Sequence, residues 1–318
     1  MESSGVIQEP PLRARFSGHE SFPLRFGWLA KGVRLCQSQP DGFGKSEAMV
    51  ELGVGKNMVR SIRFWATESR MLGPADRRAS RGQGLQPTAL GALYFADGGV
   101  DPYMEDPATT WLVHWNLASR SDGPTTWYWL FNLLRSTEFT KEQAIREIRQ
   151  LEARCGWEPL SDETLLRDLD CCVRSYILSE PDKKLAREDA LDCPLAELDL
   201  LRRGADRDAF VLVRAARPTL SPSVFAFALV EFWKRASPNA KSLSFDQIAY
   251  APGSPGQVFK VSENGLMDLL AALEPFSDSN FTLGTTAGMR QIYLRDMPDE
   301  PTTLLKPKSK SRRRHAHE

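Results

Sequence analysis

The chain has 318 residues, 42% of them hydrophobic and 26% charged, which gives room for two or three ordinary domains with real cores. Its 41 basic and 41 acidic side chains cancel, so the molecule is not a general polycation and the question moves to local charge. No apolar run approaches the ~18 residues of a membrane span, and no secretory leader opens the chain; a cytoplasmic protein with no membrane attachment is expected. Cys36, Cys155, Cys171, Cys172 and Cys193 are odd in number and unevenly spaced, which suits reduced, buried thiols better than a disulfide framework or a zinc ribbon.

The charge is unevenly placed. The segment Lys56 to Arg81 holds one Lys, six Arg, one Asp and one Glu, and the tail Lys306 to Glu318 holds three Lys, three Arg and one Glu. In chain order, Ser46 to Leu52 reads as a short helix, Gly53-Val54-Gly55 as a turn and Lys56 to Leu72 as a longer helix stopped by Gly73-Pro74. At about 100° per residue, Lys56, Arg60, Arg63, Thr67 and Arg70 share one stripe, and Met58, Val59, Ile62, Trp65 and Ala66 share the opposite one. A basic, glycine-containing stretch follows, with Arg77, Arg78 and Arg81. Helix, turn, helix and basic hairpin is the order of a winged helix-turn-helix. Its expected DNA contacts are Lys56, Asn57, Arg60, Arg63, Thr67, Arg70, Arg77, Arg78 and Arg81. LGVGKN lacks the early glycine and the Ser or Thr of a phosphate loop, so no nucleotide site is expected there.

The stretch Asp101 to Leu134 carries Trp111, Trp115, Trp127 and Trp129 with few interleaved cations, and is read as core. Helices are expected at Glu142 to Ala153 and Thr164 to Ile177. The second buries Leu165, Leu166, Leu169, Cys172, Val173 and Tyr176 and presents Arg167 and Arg174, as in a second helix-turn-helix. Ser221 to Ala236, Ser244 to Tyr250 and Ser262 to Leu273 are expected helices before a strand at Ala287 to Leu294, a third unit of the same order. The expected fold is mainly α within the α+β class, with several winged helix-turn-helix units linked by helical segments. Its domains are 16–98, 101–215 and 216–296, with a disordered basic tail at 298–318.

FSGHESFPLRFGWLAKG at Phe16 to Gly32 and LGVGKNMVRSIRFW at Leu52 to Trp65 open a series of five motifs in fixed order. DPYMEDPATTWLVHWNL at Asp101 to Leu117, LDCPLAELDL at Leu191 to Leu200 and GSPGQVFKV at Gly253 to Val261 complete it. Together they resemble the SspB-like family of DNA phosphorothioation systems, a bacterial family of unknown-function domains, from Phe16 to about Leu294. The resemblance implies a role in antiphage defence in which sulfur replaces a nonbridging phosphate oxygen. It also implies strand nicking by this component, beside a cysteine desulfurase, an ATP-pyrophosphatase-type sulfur transferase and an ATPase. It carries over no catalytic residue.

A metal-dependent nickase needs carboxylates to hold Mg2+ or Mn2+ and a nearby acid or base. Two groups within the motifs supply such side chains: His19 with Glu20, and Asp101, Glu105 and Asp106 with His114. The opposing expectation is that these residues cap turns and lock segments, since Asp101 and Asp106 each precede a proline. Three functions therefore stand side by side: a DNA-nicking endonuclease, a non-catalytic adaptor that brings sulfur-transfer partners to DNA, and a transcriptional regulator. A homodimer is a further expected assembly.

Overall fold

The structure is a computed structural model that describes residues 12–75, 84–177, 193–206, 208–286 and 288–305. The first unit contains α1 (Trp28–Ser38), α2 (Ala48–Leu52) and α3 (Lys56–Glu68), then strands β1 (Leu72–Pro74) and β2 (Leu85–Pro87), and closes with α4 (Ala89–Phe95). Gly53 ends α2 in the left-handed region at φ 64°, a conformation that costs glycine nothing and reverses the chain into α3. Strands β1 and β2 pair antiparallel, Leu72 opposite Pro87 and Pro74 opposite Leu85.

Two corrections to the sequence reading arise here. Helix α3 ends at Glu68 rather than Leu72, because Arg70 turns left-handed at φ 64°. Gly73-Pro74 is then part of an edge strand rather than a helix stop, a position where proline's missing N–H is tolerated.

The central helix α5 (Pro107–Ala118) starts on Asp106, whose side chain accepts the Ala108 N–H, with Pro107 in the first helical position. Every residue from Thr109 to Ala118 is buried, so α5 is wrapped on all sides. Helix α6 (Thr125–Tyr128) continues into one π turn at Trp129–Leu133. The second unit follows: β3 (Glu138–Thr140), α7 (Lys141–Cys155), α8 (Asp162–Tyr176), β4 (Leu201–Arg203) and β5 (Ala209–Leu212). Thr140 and Gln143 form a reciprocal capping box at the start of α7. The face expected of α8 is buried except for Leu166, which is exposed.

The third unit comprises α9 (Pro222–Ala236), β6 (Ser242–Ser244), α10 (Phe245–Tyr250), α11 (Pro255–Val258), α12 (Glu263–Phe276), β7 (Phe281–Thr286) and β8 (Met289–Leu294). Ser221, Ser244 and Ser262 cap α9, α10 and α12. In both later units the sheet is antiparallel with the same order: β3-β5-β4 in the second and β6-β8-β7 in the third. In each, the last strand of the unit lies between the other two, and helices follow the first strand: α7 and α8 in the second unit, α10, α11 and α12 in the third.

The units do not have separate cores. One apolar cluster runs from Leu24 through Trp111 and Phe225 to Leu305. Trp65, Trp111, Trp115, Trp127, Trp129 and Trp233 are all fully buried, and the Trp65 and Trp127 rings meet edge to face at 5.6 Å, so the four tryptophans of 101–134 serve packing. The region expected to be a disordered tail begins with order: Pro301–Leu305 is a 3-10 helix with Leu305 buried. Residues 306–318 lie outside the described residues.

Candidate nucleic-acid interface

Helix α3 separates its faces as its sequence spacing requires. Val59, Ile62, Trp65 and Ala66 are buried, Met58 is partly buried, and Lys56, Asn57, Arg60 and Arg63 are exposed. Four apolar side chains fix the helix on α1 while the opposite edge carries three cations into solvent. Lys56, Asn57 and Arg63 have no hydrogen-bond or ion-pair partner among the described residues. Arg60 faces Glu20 at 3.4 Å. Thr67 is only partly exposed, and its hydroxyl is buried without a hydrogen-bond partner.

Arg70 departs from the stripe. Its guanidinium Nη1 donates to both Glu231 carboxylate oxygens at 2.8 and 2.9 Å and to Asn116 Oδ1 at 3.2 Å. Glu231 also accepts from the Trp115 indole at 2.8 Å. Arg70 is therefore a strut that joins the first unit to α5 and α9. Arg77, Arg78 and Arg81 lie outside the described residues.

The segment Ser17 to Ser21 packs between α3 and α8. Ser17, Glu20 and Ser21 take left-handed φ values of 64°, 49° and 66°, a cluster of conformations that each cost about 1 kcal/mol or more in non-glycine residues. Gly18 sits among them at φ 94°, where a β-carbon would come within 2.7 Å of the Phe64 ring. Arg174 of α8 donates to Ser21 O at 2.6 Å, which carries the exposed surface from α3 across this segment to α8. Arg167 is exposed on the same helix.

His19, within this strained segment, is only 1% exposed. Its Nδ1 accepts the Ser21 N–H at 3.1 Å, so its proton sits on Nε2, which donates to Asp168 Oδ1 at 2.8 Å. Asp168 also accepts the Ser17 N–H at 2.6 Å and the Thr126 hydroxyl at 2.5 Å. Both ring nitrogens are committed, and the imidazole has no path to a phosphate. Arg15 closes the same corner: its Nη1 lies 3.2 Å from Glu68. Burial pushes the Glu68 carboxyl above its usual range, with Arg15 opposing the shift.

In the second proposed group Asp101, Asp106 and His114 are committed. Asp101 accepts the Glu105 and Asp106 N–H groups at 2.9 and 3.1 Å and the Thr109 hydroxyl at 2.6 Å. Asp106 caps α5, and Glu105 is exposed. His114 lies inside the core. Its Nε2 bonds the Val258 carbonyl at 2.9 Å, and since a carbonyl only accepts, Nε2 carries the proton and Nδ1 takes the Tyr176 hydroxyl at 2.8 Å. Burial holds its pKa down to about 3.

The Asp101 and His114 side chains thus serve turn and core, and no group of three or more His, Cys, Asp or Glu among the described residues could hold a metal ion. Of the side chains that the sequence offered for Mg2+ or Mn2+, His19, Asp101 and His114 are committed inside the fold, while Glu20, Glu105 and Asp106 reach the surface. Asp168 and Glu231, the acids that organise these contacts, were not singled out from sequence. Their partners lie between 42 and 161 residues away, and no local spacing marks them.

The sequence profile of the family described as "Protein of unknown function (DUF4007)" matches residues 16–307. A solved structure described as "SspB crystal structure" is 29% identical, with 92% of this chain and 87% of that chain covered and a TM-score of 0.82. A second, described as "Magnesium ion-bound SspB crystal structure", is also 29% identical, with 89% of this chain and 83% of that chain covered and a TM-score of 0.80. No curated protein matches the chain. No described helix is long and apolar enough to cross a membrane.

Proposed function

Because the chain belongs to the DUF4007 family and is similar to SspB along most of its length, we propose that it is a DNA-binding component of a DNA phosphorothioation system. One observation carries the reading: an apolar-anchored helix, α3, presents Lys56, Asn57, Arg60 and Arg63 on a single open edge. Phosphate oxygens reward this arrangement, since each neutralised phosphate releases counterions. We read the first unit as a winged helix with α3 as its recognition helix, and the second and third as relatives of it. The support is, in the first unit, the order α2, turn, α3 and antiparallel pair β1–β2, and in the second and third a shared strand order in which helices follow the first strand and the final strand takes the central place. The partners proposed are the sulfur-transfer enzymes of such a system, and the compartment is the cytoplasm.

Between nicking and an adaptor role, the committed hydrogen bonds of His19, Asp101 and His114 favour the adaptor. Nicking requires catalytic groups other than these. Plasmid relaxation decides it: supercoiled DNA incubated with the chain and Mg2+ or Mn2+, with and without its sulfur-transfer partners. The adaptor reading expects binding with no EDTA-sensitive open circles. Their appearance in a clean preparation overturns it. The DNA-binding reading itself fails if joint Ala substitution of Lys56, Arg60 and Arg63 leaves duplex affinity and its salt slope unchanged in a folded protein.

A further inference from the structure

A cavity of about 970 Å³ opens between the second and third units, away from α3. One wall is α7, which presents Gln143, Arg146, Gln150 and Arg154 to it. Those positions recur every three or four residues, so they form one polar face of the helix. The facing wall comes from the segment Tyr250 to Lys260, which holds α11 and most of the sequence motif Gly253 to Val261. Gly256 allows the approach there, since a β-carbon would lie 2.6 Å from the Ala249 backbone.

Lys260 lines this cavity while only 5% exposed. Its ammonium has no hydrogen bond or ion pair to any described residue. Burial of the residue, helped by Arg214, pushes its pKa down to about 7. The residue is nevertheless held firmly. It adopts φ 48°, and its carbonyl accepts from the Ala215 N–H and from Arg217 Nη2.

Arg146 and Arg154 are exposed and form no salt bridge among the described residues. They stand about 12 Å apart along α7, at 1.5 Å per residue. Arg214 reaches the same cavity, with its guanidinium 5.8 Å from the Tyr250 ring, and that ring is 46% exposed. The acids on the lining are Glu138 and Glu147, fewer than the cations.

We infer that this cleft binds a single-stranded nucleic-acid segment, with Lys260 and the α7 arginines on its phosphates and Tyr250 as a stacking surface for a base. A lysine set into the cavity wall, whose ammonium has no partner among the described residues, asks for an anion. A cation row longer than one phosphate asks for a chain of them, and an exposed aromatic at the rim matches the way single strands are held. The volume also lies at the upper end of small-ligand pockets. The inference rests on the DNA-binding reading, but it uses a different surface, so the two can fail separately.

The test measures fluorescence anisotropy of the full chain with a labelled single strand and with the corresponding duplex. The variants are Lys260→Met, the double variant Arg146→Gln/Arg154→Gln, and Arg63→Ala. Lys260→Met should weaken single-strand binding about tenfold or more, and its melting temperature should stay level or rise because the ammonium makes no bond to a described residue that the substitution would remove. The double variant acts from an exposed helix face and should lower the single-strand salt slope by about 1.4. Both should keep duplex affinity, whereas Arg63→Ala should lose duplex affinity and keep the single strand. The inference is overturned if wild type does not bind the single strand or if both cleft variants bind it like wild type. It is overturned equally if deoxyadenosine monophosphate or inorganic phosphate alone binds the cleft as tightly as the strand does. Loss of duplex binding alone counts against α3 and leaves the cleft intact.

Discussion

The outer edge of α3 and the buried knot around Asp168 lie on opposite sides of one short segment, Ser17 to Ser21, and use charge in opposite ways. On α3, Lys56 and Arg63 extend into solvent without a partner among the described residues, so their donors are free for a ligand. At Asp168, three donors converge on one carboxylate inside the core, and nothing remains to offer. A motif rich in His, Glu, Ser and Arg is therefore no guide to chemistry until its donors and acceptors are accounted for. What separates a binding surface from a structural lock here is unspent hydrogen-bonding capacity.

The comparison breaks most readily at Asp168. Asp168→Ala strands the Ser17 N–H, the His19 imidazole and the Thr126 hydroxyl in a buried site, and should cost about 3–5 kcal/mol of stability. Chemical denaturation measures it. If Asp168→Ala instead leaves stability intact and abolishes action on DNA, the knot is a working site and the distinction collapses.

His114 gives a second sealed imidazole, with a signature in pH. Its folded pKa of about 3 lies below the ordinary value of 6.5. Between those two values the unfolded chain takes up a proton that the folded chain refuses. Its contribution is therefore fully present above about pH 6.5 and is lost as pH falls, by up to about 1.4 kcal/mol per pH unit. Denaturation midpoints measured from neutral pH down to pH ~4 should show the slope, and His114→Gln should flatten it at the cost of lower stability at neutral pH. An unchanged slope in that variant would mean that other groups govern acid unfolding.

The smallest expected effect sharpens the comparison on α3 itself. Arg63 is open, while Arg60 is already paired with Glu20 across 3.4 Å at the surface. Arg63→Ala should weaken duplex binding about tenfold, with the salt slope reduced by about one. Glu20→Ala should instead raise affinity a few-fold, because it releases Arg60 from a pair worth at most about 1 kcal/mol. Duplex titrations at several salt concentrations read both changes. A drop in affinity for Glu20→Ala would assign Glu20 to the chemistry rather than to restraint of Arg60.

By itself the sequence determined the helices α8, α9, α10 and α12 and the open face of α3, but not α1, α4, α6 or α11. Ser161, Ser221, Ser244 and Ser262 each satisfy the first turn of the helix that follows, and such caps depend on residues three apart, which local spacing displays. The amphipathic stripe of α3 and the buried tryptophans are legible for the same reason. Tertiary structure alone decided the other strands, beyond β8 (Met289–Leu294), which falls within the expected strand at Ala287 to Leu294, and the fate of individual charges. Strands β1, β3, β4 and β6 have three residues each, too few for an alternating pattern to register. Arg70 leaves the stripe because a left-handed residue aims it at Glu231, 161 positions away. His19 is sealed by Asp168, 149 positions away. Whether a charged side chain is spent or free depends on partners that only folding brings within 3 Å.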